Sequence, residues 1–104
     1  MAKFKVITLC GSRKFKDDFK KIQEELSLKG YIVFSPVFFE KIPKESITIN
    51  DICLLGMMHL QKIAMSDEIF VINKNGYIGE STKSEIDYAI KHNKIVNYLE
   101  PVNE

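Results

Sequence analysis

The apolar positions along this chain change their period several times, and each change marks a boundary. Phe4, Val6, Ile7, Leu9 and Cys10 form a short β-rich run that stops at Gly11, as a buried strand entering a turn does. From Phe15 the spacing turns helical: Phe15, Phe19, Ile22 and Leu26 recur along one face, with lysines and acids between them. Gly30 follows where a glycine ends a helix, and Tyr31–Phe34 reads as a second strand closed by Ser35-Pro36. A helical pattern returns from Asp51 through Ile52, Leu55, His59 and Ile63, with Asn50 or Asp51 placed to cap it. Ile69–Ile72 is apolar throughout, as in a strand covered on both faces. The turn residues Asn73–Gly76 and the link Tyr77-Ile78-Gly79 then lead to a helix from about Thr82 to His92, and Ile95–Leu99 makes a last strand.

Strands alternating with helices predict successive βαβ units. The fold class is therefore α/β: one domain over residues 1–104, built on an open parallel sheet with helices on both faces. Four strands are expected, or five if Val37-Phe38-Phe39, bracketed by Pro36 and Pro43, forms an edge segment rather than a loop. Such sheets bind ligands beyond the carboxyl ends of their strands, where the strand order reverses. The first and third strands end in polar, glycine-containing loops, so a site is expected between them.

Composition narrows the ligand. Fifteen basic and fourteen acidic side chains leave a net charge of +1, which argues against a nucleic-acid polymer as partner. Cys10 and Cys53 each sit in an apolar run, the usage of buried thiols in a reducing compartment, and no Cys/His pair has zinc-ligand spacing. The first apolar run begins at once without a signal-peptide pattern, and no stretch nears the length of a membrane span; a cytoplasmic protein is expected. So short a chain buries a modest share of its surface, which favours a homodimer.

Two loops carry candidate chemistry. Gly11-Ser12-Arg13 offers close backbone approach, a hydroxyl and a guanidinium fork suited to phosphate or carboxylate oxygens, or else it is a plain turn. Gly79-Glu80-Ser81-Thr82 opens a helix, where free amides favour an anion. Thr82-x-x-Glu85 also matches a capping box, and spacing alone favours that role for Glu85. His59 reads first as a hydrogen-bonded core residue and second as a ligand donor or proton carrier. Phe38 and Phe39 read as core or interface packing ahead of base stacking.

Taken together, "ITLCGSRKF", "MMHLQKIAMSDEIFVIN" and "GYIGESTKSEIDYAIKHNK" in this order resemble the nucleoside 2-deoxyribosyltransferase superfamily. The resemblance extends to its 2′-deoxynucleoside 5′-phosphate N-hydrolase branch and to related nucleotide-sensor domains. It implies a Rossmann-like three-layer domain and cleavage or transfer at an N-glycosidic bond. Glu85 falls where those enzymes carry the nucleophile, and Gly11, Ser12, Arg13, Gly79, Ser81 and Thr82 fall on or beside phosphate-binding positions. Two positions depart from the pattern: Thr8 stands for a tyrosine that places the nucleophile, and His59 for an aspartate that aids proton transfer. The chemistry implied is that of a protein carboxylate, with no metal and no organic cofactor. The partners implied are a nucleotide or nucleoside and a second copy of the chain, with no membrane. A non-catalytic sensor that binds a nucleotide-derived ligand is the alternative.

Overall fold

The four apolar runs read as strands become parallel strands in the computed structural model, which describes residues 3–102. The strands are β1 (Val6–Gly11), β2 (Ile32–Phe34), β3 (Glu68–Ile72) and β4 (Ile95–Tyr98); the helices are α1 (Lys16–Leu28), α2 (Ile49–Ala64) and α3 (Glu80–Lys91). The sheet order is β2-β1-β3-β4, and every neighbouring pair is parallel. The chain leaves β1 toward β2, then crosses to β3 on the other side, so the order reverses between β1 and β3. That is the crevice expected from the two polar loops.

Alternation along the strands sorts the core into two layers. Ile7, Leu9 and Ile72 pack against Phe19, Ile22 and Leu26 of α1. Cys10, Ile69 and Val71 face the other way, onto Ile63 of α2 and Ile86 and Ala89 of α3. One helix thus covers one face and two cover the other. No helix among the described residues is long and apolar enough to cross a membrane.

Residues 37–48 form no strand and hold a single 3₁₀ turn at Lys44–Ser46, while 49 and 50 already belong to α2, so the sheet has four strands among the described residues. Phe38 nonetheless packs edge-on against Phe19, with ring centroids 5.2 Å apart, and so belongs to the α1 layer. Helix α2 starts two residues before Asp51. Thr48 is its N-cap: its hydroxyl accepts from the Asp51 amide at 3.0 Å, and the Asp51 carboxylate accepts from the Thr48 amide at 2.9 Å. These hydrogen bonds hold the Asp51 carboxyl below the usual aspartate range. Thr48→Ala is expected to lower stability by about 1 kcal/mol, read as a small fall in urea midpoint with unchanged slope.

The stripe on α2 is not wholly core. His59 and Ile63 are buried, but Ile52 is 60% exposed, as are Ile49 at 79% and Met57 at 68%. Leu54 and Met58 are exposed as well. Periodicity marks which side chains avoid water, and it does not say whether the cover comes from the same chain.

Candidate functional site

Gly11 closes β1 at a point where a side chain would be crowded and strained. Its φ is +154°, and a Cβ there would lie 3.0 Å from the Ile72 carbonyl oxygen and 3.2 Å from Ile72 Cβ. Beyond it, Ser12 caps a 3₁₀ turn over Arg13–Phe15, its hydroxyl 3.4 Å from the Lys14 amide. The loop after β3 comes up beside this turn. Lys14 Nζ lies 3.5 Å from the centre of the Tyr77 ring, and Phe15 meets the same ring edge-on at 6.2 Å. The two loops meet at the strand ends.

Arg13 turns toward the segment after β2. Its guanidinium donates to the Val37 carbonyl and lies 5.1 Å from the Phe38 ring centre. Gly79 is the N-cap of α3 and supplies no side-chain cap, so the amides of the first turn are left to solvent or a ligand. Ser81 is exposed in that turn, whereas Thr82 is buried.

The capping box expected at Thr82-x-x-Glu85 does not form. With Gly79 as N-cap, Thr82 is already the third helical residue and Glu85 lies in the second turn, too far along to reach the cap amide. The Glu85 carboxylate instead points back to the sheet, with Oε1 3.4 Å from His59 Nε2. Cys10 Sγ lies 3.6 Å from the same nitrogen. The end of β1, the third turn of α2 and the second turn of α3 thus bring a thiol, an imidazole and a carboxylate within 4.8 Å of one another.

Burial grades the three. Cys10 is fully enclosed, the His59 side chain is 10% exposed and that of Glu85 21%. Burial pushes the Cys10 thiol well above its ordinary pKa, and the neighbouring Glu85 carboxylate pushes it further, so sulfur keeps its proton near neutrality. His59 Nδ1 is buried without a hydrogen-bond partner among the described residues. The core reading of His59 is therefore correct as to burial, but among the described residues its polar partners are the two groups at Nε2.

Thr8 stands clear of this cluster. It is buried in the middle of β1, with Oγ1 2.5 Å from Ser66 Oγ, and Ser66 in turn donates to the Lys62 carbonyl at 2.8 Å. Its hydroxyl ties the strand to the end of α2. Cys10 was not singled out by the sequence, because its neighbours lie 49 and 75 residues away and only the crossing of β1 under α2 and α3 joins them. A cavity of about 400 Å³ lined by Phe19, Val33, Ser35, Phe38, Glu40 and Lys62 shares none of the three groups.

No known family model matches the chain, and no curated protein matches it in sequence. Among solved structures, a 2-deoxyribosyltransferase from the psychrotolerant bacterium Bacillus psychrosaccharolyticus superposes with a TM-score of 0.71. The match covers 94% of this chain and 77% of that one, at 19% identity. The fold is 2-deoxyribosyltransferase-like. That enzyme is described as a biocatalyst for synthesis of antiviral and antitumoral nucleosides. At this identity the shared property is the fold alone.

Proposed function

We propose that this chain binds a nucleoside 5′-phosphate or a related ribosyl compound at the strand ends and cleaves its N-glycosidic bond. The observation that carries the reading is the orientation of Glu85, whose carboxylate faces His59 at the strand-end crevice instead of capping its own helix. A glutamate spent on a cap would have no role in chemistry. A carboxylate held in a crevice beside an imidazole is equipped for nucleophilic and acid–base work.

In this mechanism a Glu85 oxygen attacks the anomeric carbon as the bond to the base nitrogen breaks, and His59 Nε2 gives that nitrogen a proton. The product is a glycosyl ester on Glu85. Water then attacks the same carbon, Glu85 departs as a carboxylate, and the proton of the water returns to His59. A second base in place of water would give transfer. The uncapped amides from Gly79 onward, with the Ser81 hydroxyl, Thr82 beside it and the Gly11-Ser12 turn opposite, suit the phosphate. Arg13 reaches that phosphate by giving up the Val37 carbonyl. Incubation with a panel of nucleoside monophosphates tests the reading. Free base from one or more of them supports it, and intact nucleotides throughout, at enzyme concentrations stoichiometric with substrate, contradict it.

A second reading is a sensor that holds a nucleotide-derived ligand intact. The commitment of Thr8 to Ser66 favours it, since that hydroxyl is not available to place a nucleophile. Calorimetric binding with all ligand recovered unchanged would select it over cleavage.

Between Ile52 and Met58, α2 is apolar around its whole circumference, with Ile52, Leu54, Met57 and Met58 exposed, as is Ile49 at the helix start. A helix of that kind is normally buried. A second copy of the chain is the occupant proposed, because a two-fold contact lets one such helix cover its twin, and a net charge of +1 opposes association very little. Met57→Glu is expected to convert a dimer to a monomer in sedimentation, with the fold retained. A parent protein that sediments as a monomer at tens of micromolar rules this out.

A further inference from the structure

The three groups that meet under α2 and α3 have the spacing of metal ligands as well as that of hydrogen-bonded neighbours. A charged hydrogen bond between imidazole and carboxylate closes to about 2.7–2.9 Å, whereas His59 Nε2 and Glu85 Oε1 stand 3.4 Å apart. A tetrahedral zinc ion has bonds of about 2.3 Å to thiolate, 2.0–2.1 Å to imidazole and 2.0–2.2 Å to carboxylate, which sets the sulfur–nitrogen edge at about 3.5 Å and the nitrogen–oxygen edge at about 3.4 Å. The corresponding separations here are 3.6 Å and 3.4 Å, and all three donor atoms fall within 4.8 Å of one another.

We infer that Cys10, His59 and Glu85 form a three-ligand site for a zinc-class divalent cation, with the fourth position open to the crevice. The donors suit that class: thiolate and imidazole select a borderline-soft metal, and a carboxylate completes the set. Charge agrees as well. One thiolate and one carboxylate balance a 2+ ion, so the occupied site is neutral in a place where an unpaired charge would be costly. As the S–metal bond forms, the thiol proton passes to solvent, and the metal holds Nε2 while Nδ1 carries the imidazole proton. Glu85 is the most exposed of the three and marks the side on which water or a ligand takes the fourth position. Nδ1 has no partner among the described residues, so affinity is set about 10- to 100-fold below that of a site whose imidazole is anchored at its outer nitrogen.

The inference does not depend on Glu85 acting as a nucleophile. If it does act so, an ion on its carboxylate blocks attack, and zinc becomes an inhibitor of base release.

Cobalt(II) is the probe, used on the full chain with the exposed thiol removed by Cys53→Ala. One equivalent is expected to produce thiolate-to-cobalt charge-transfer absorption in the near ultraviolet and the intense visible bands of a tetrahedral ion. Zinc should bleach both on addition, as the stronger binder. Cys10→Ser should remove the charge-transfer absorption, with folding checked by circular dichroism, and His59→Gln should weaken cobalt affinity at least about tenfold. Zinc in excess should also raise the melting temperature of the Cys53→Ala protein by several degrees. A folded Cys53→Ala protein that shows no charge-transfer band overturns the inference, and so does a band that persists in folded Cys10→Ser.

Discussion

Glu85→Gln is expected to give a folded protein that still binds a nucleoside 5′-phosphate but releases its base at least about 10³-fold more slowly than the parent. Glutamine keeps the shape of the side chain and its place beside His59 while removing the negative oxygen that would attack the anomeric carbon. Binding should change little, because the groups assigned to phosphate lie in the Gly11-Ser12 turn and the first turn of α3, away from Glu85. The loss therefore belongs in kcat, with KM close to the parent value. Glu85→Ala separates chemistry from folding. Since Gly79 and not Glu85 stands at the helix start, alanine should leave the melting temperature within a few degrees of the parent, whereas loss of a true cap costs about 1 kcal/mol. Base release in Glu85→Gln within about tenfold of the parent would remove Glu85 from the mechanism.

The second large effect concerns the crevice wall. Gly11→Val is expected to destabilise the protein by about 2–5 kcal/mol, from overpacking together with an unfavourable backbone angle. The Cβ would meet the Ile72 carbonyl oxygen at 3.0 Å, and that oxygen belongs to the backbone of the neighbouring strand, which cannot rotate away as a side chain would. Pairing of Gly11 with Ile72 is the last register step between β1 and β3, and the two site loops depart from it. A domain of this size holds only about 5–15 kcal/mol in all, so the melting temperature should fall by about 10 °C or more. Ligand affinity should fall with it, because the separation of the two loops is set at this step. A melting temperature unchanged to within about 2 °C would mean that β1 and β3 are not so closely apposed at this point.

Much of this architecture was legible because it is local. The change from short apolar runs to a helical spacing of three and four marked each strand and helix, and alternation of the two implied a parallel sheet with its crevice at the strand ends. The loops at Gly11 and Gly79 were legible for the same reason. Three things were not. The capping-box pattern at Thr82 and Glu85 misled, because a box requires the helix to begin at its first residue, and here the extended link Tyr77-Ile78-Gly79 starts the helix three residues early. Ile52 fits the apolar stripe of α2 yet is exposed, because a stripe is silent about which molecule covers it. The meeting of Cys10, His59 and Glu85 left no trace in spacing, because local metal motifs place their ligands within a few residues, while these three come from three elements joined only by topology. Arg13 was legible as a fork for oxygen acceptors, and it does hold one, the Val37 carbonyl, which anchors the segment that sequence left open.

The reading of Glu85 as nucleophile requires a covalent bond between sugar and protein, and that bond can be looked for directly. A nucleoside monophosphate whose base is released should be mixed with the protein and quenched rapidly in acid, and the peptides examined by mass spectrometry. The result expected is a sugar-phosphate ester on the peptide carrying Glu85, absent from Glu85→Gln. Stoichiometric release of base with every carboxylate unmodified at the earliest quench, or an ester on a different residue, would contradict the account.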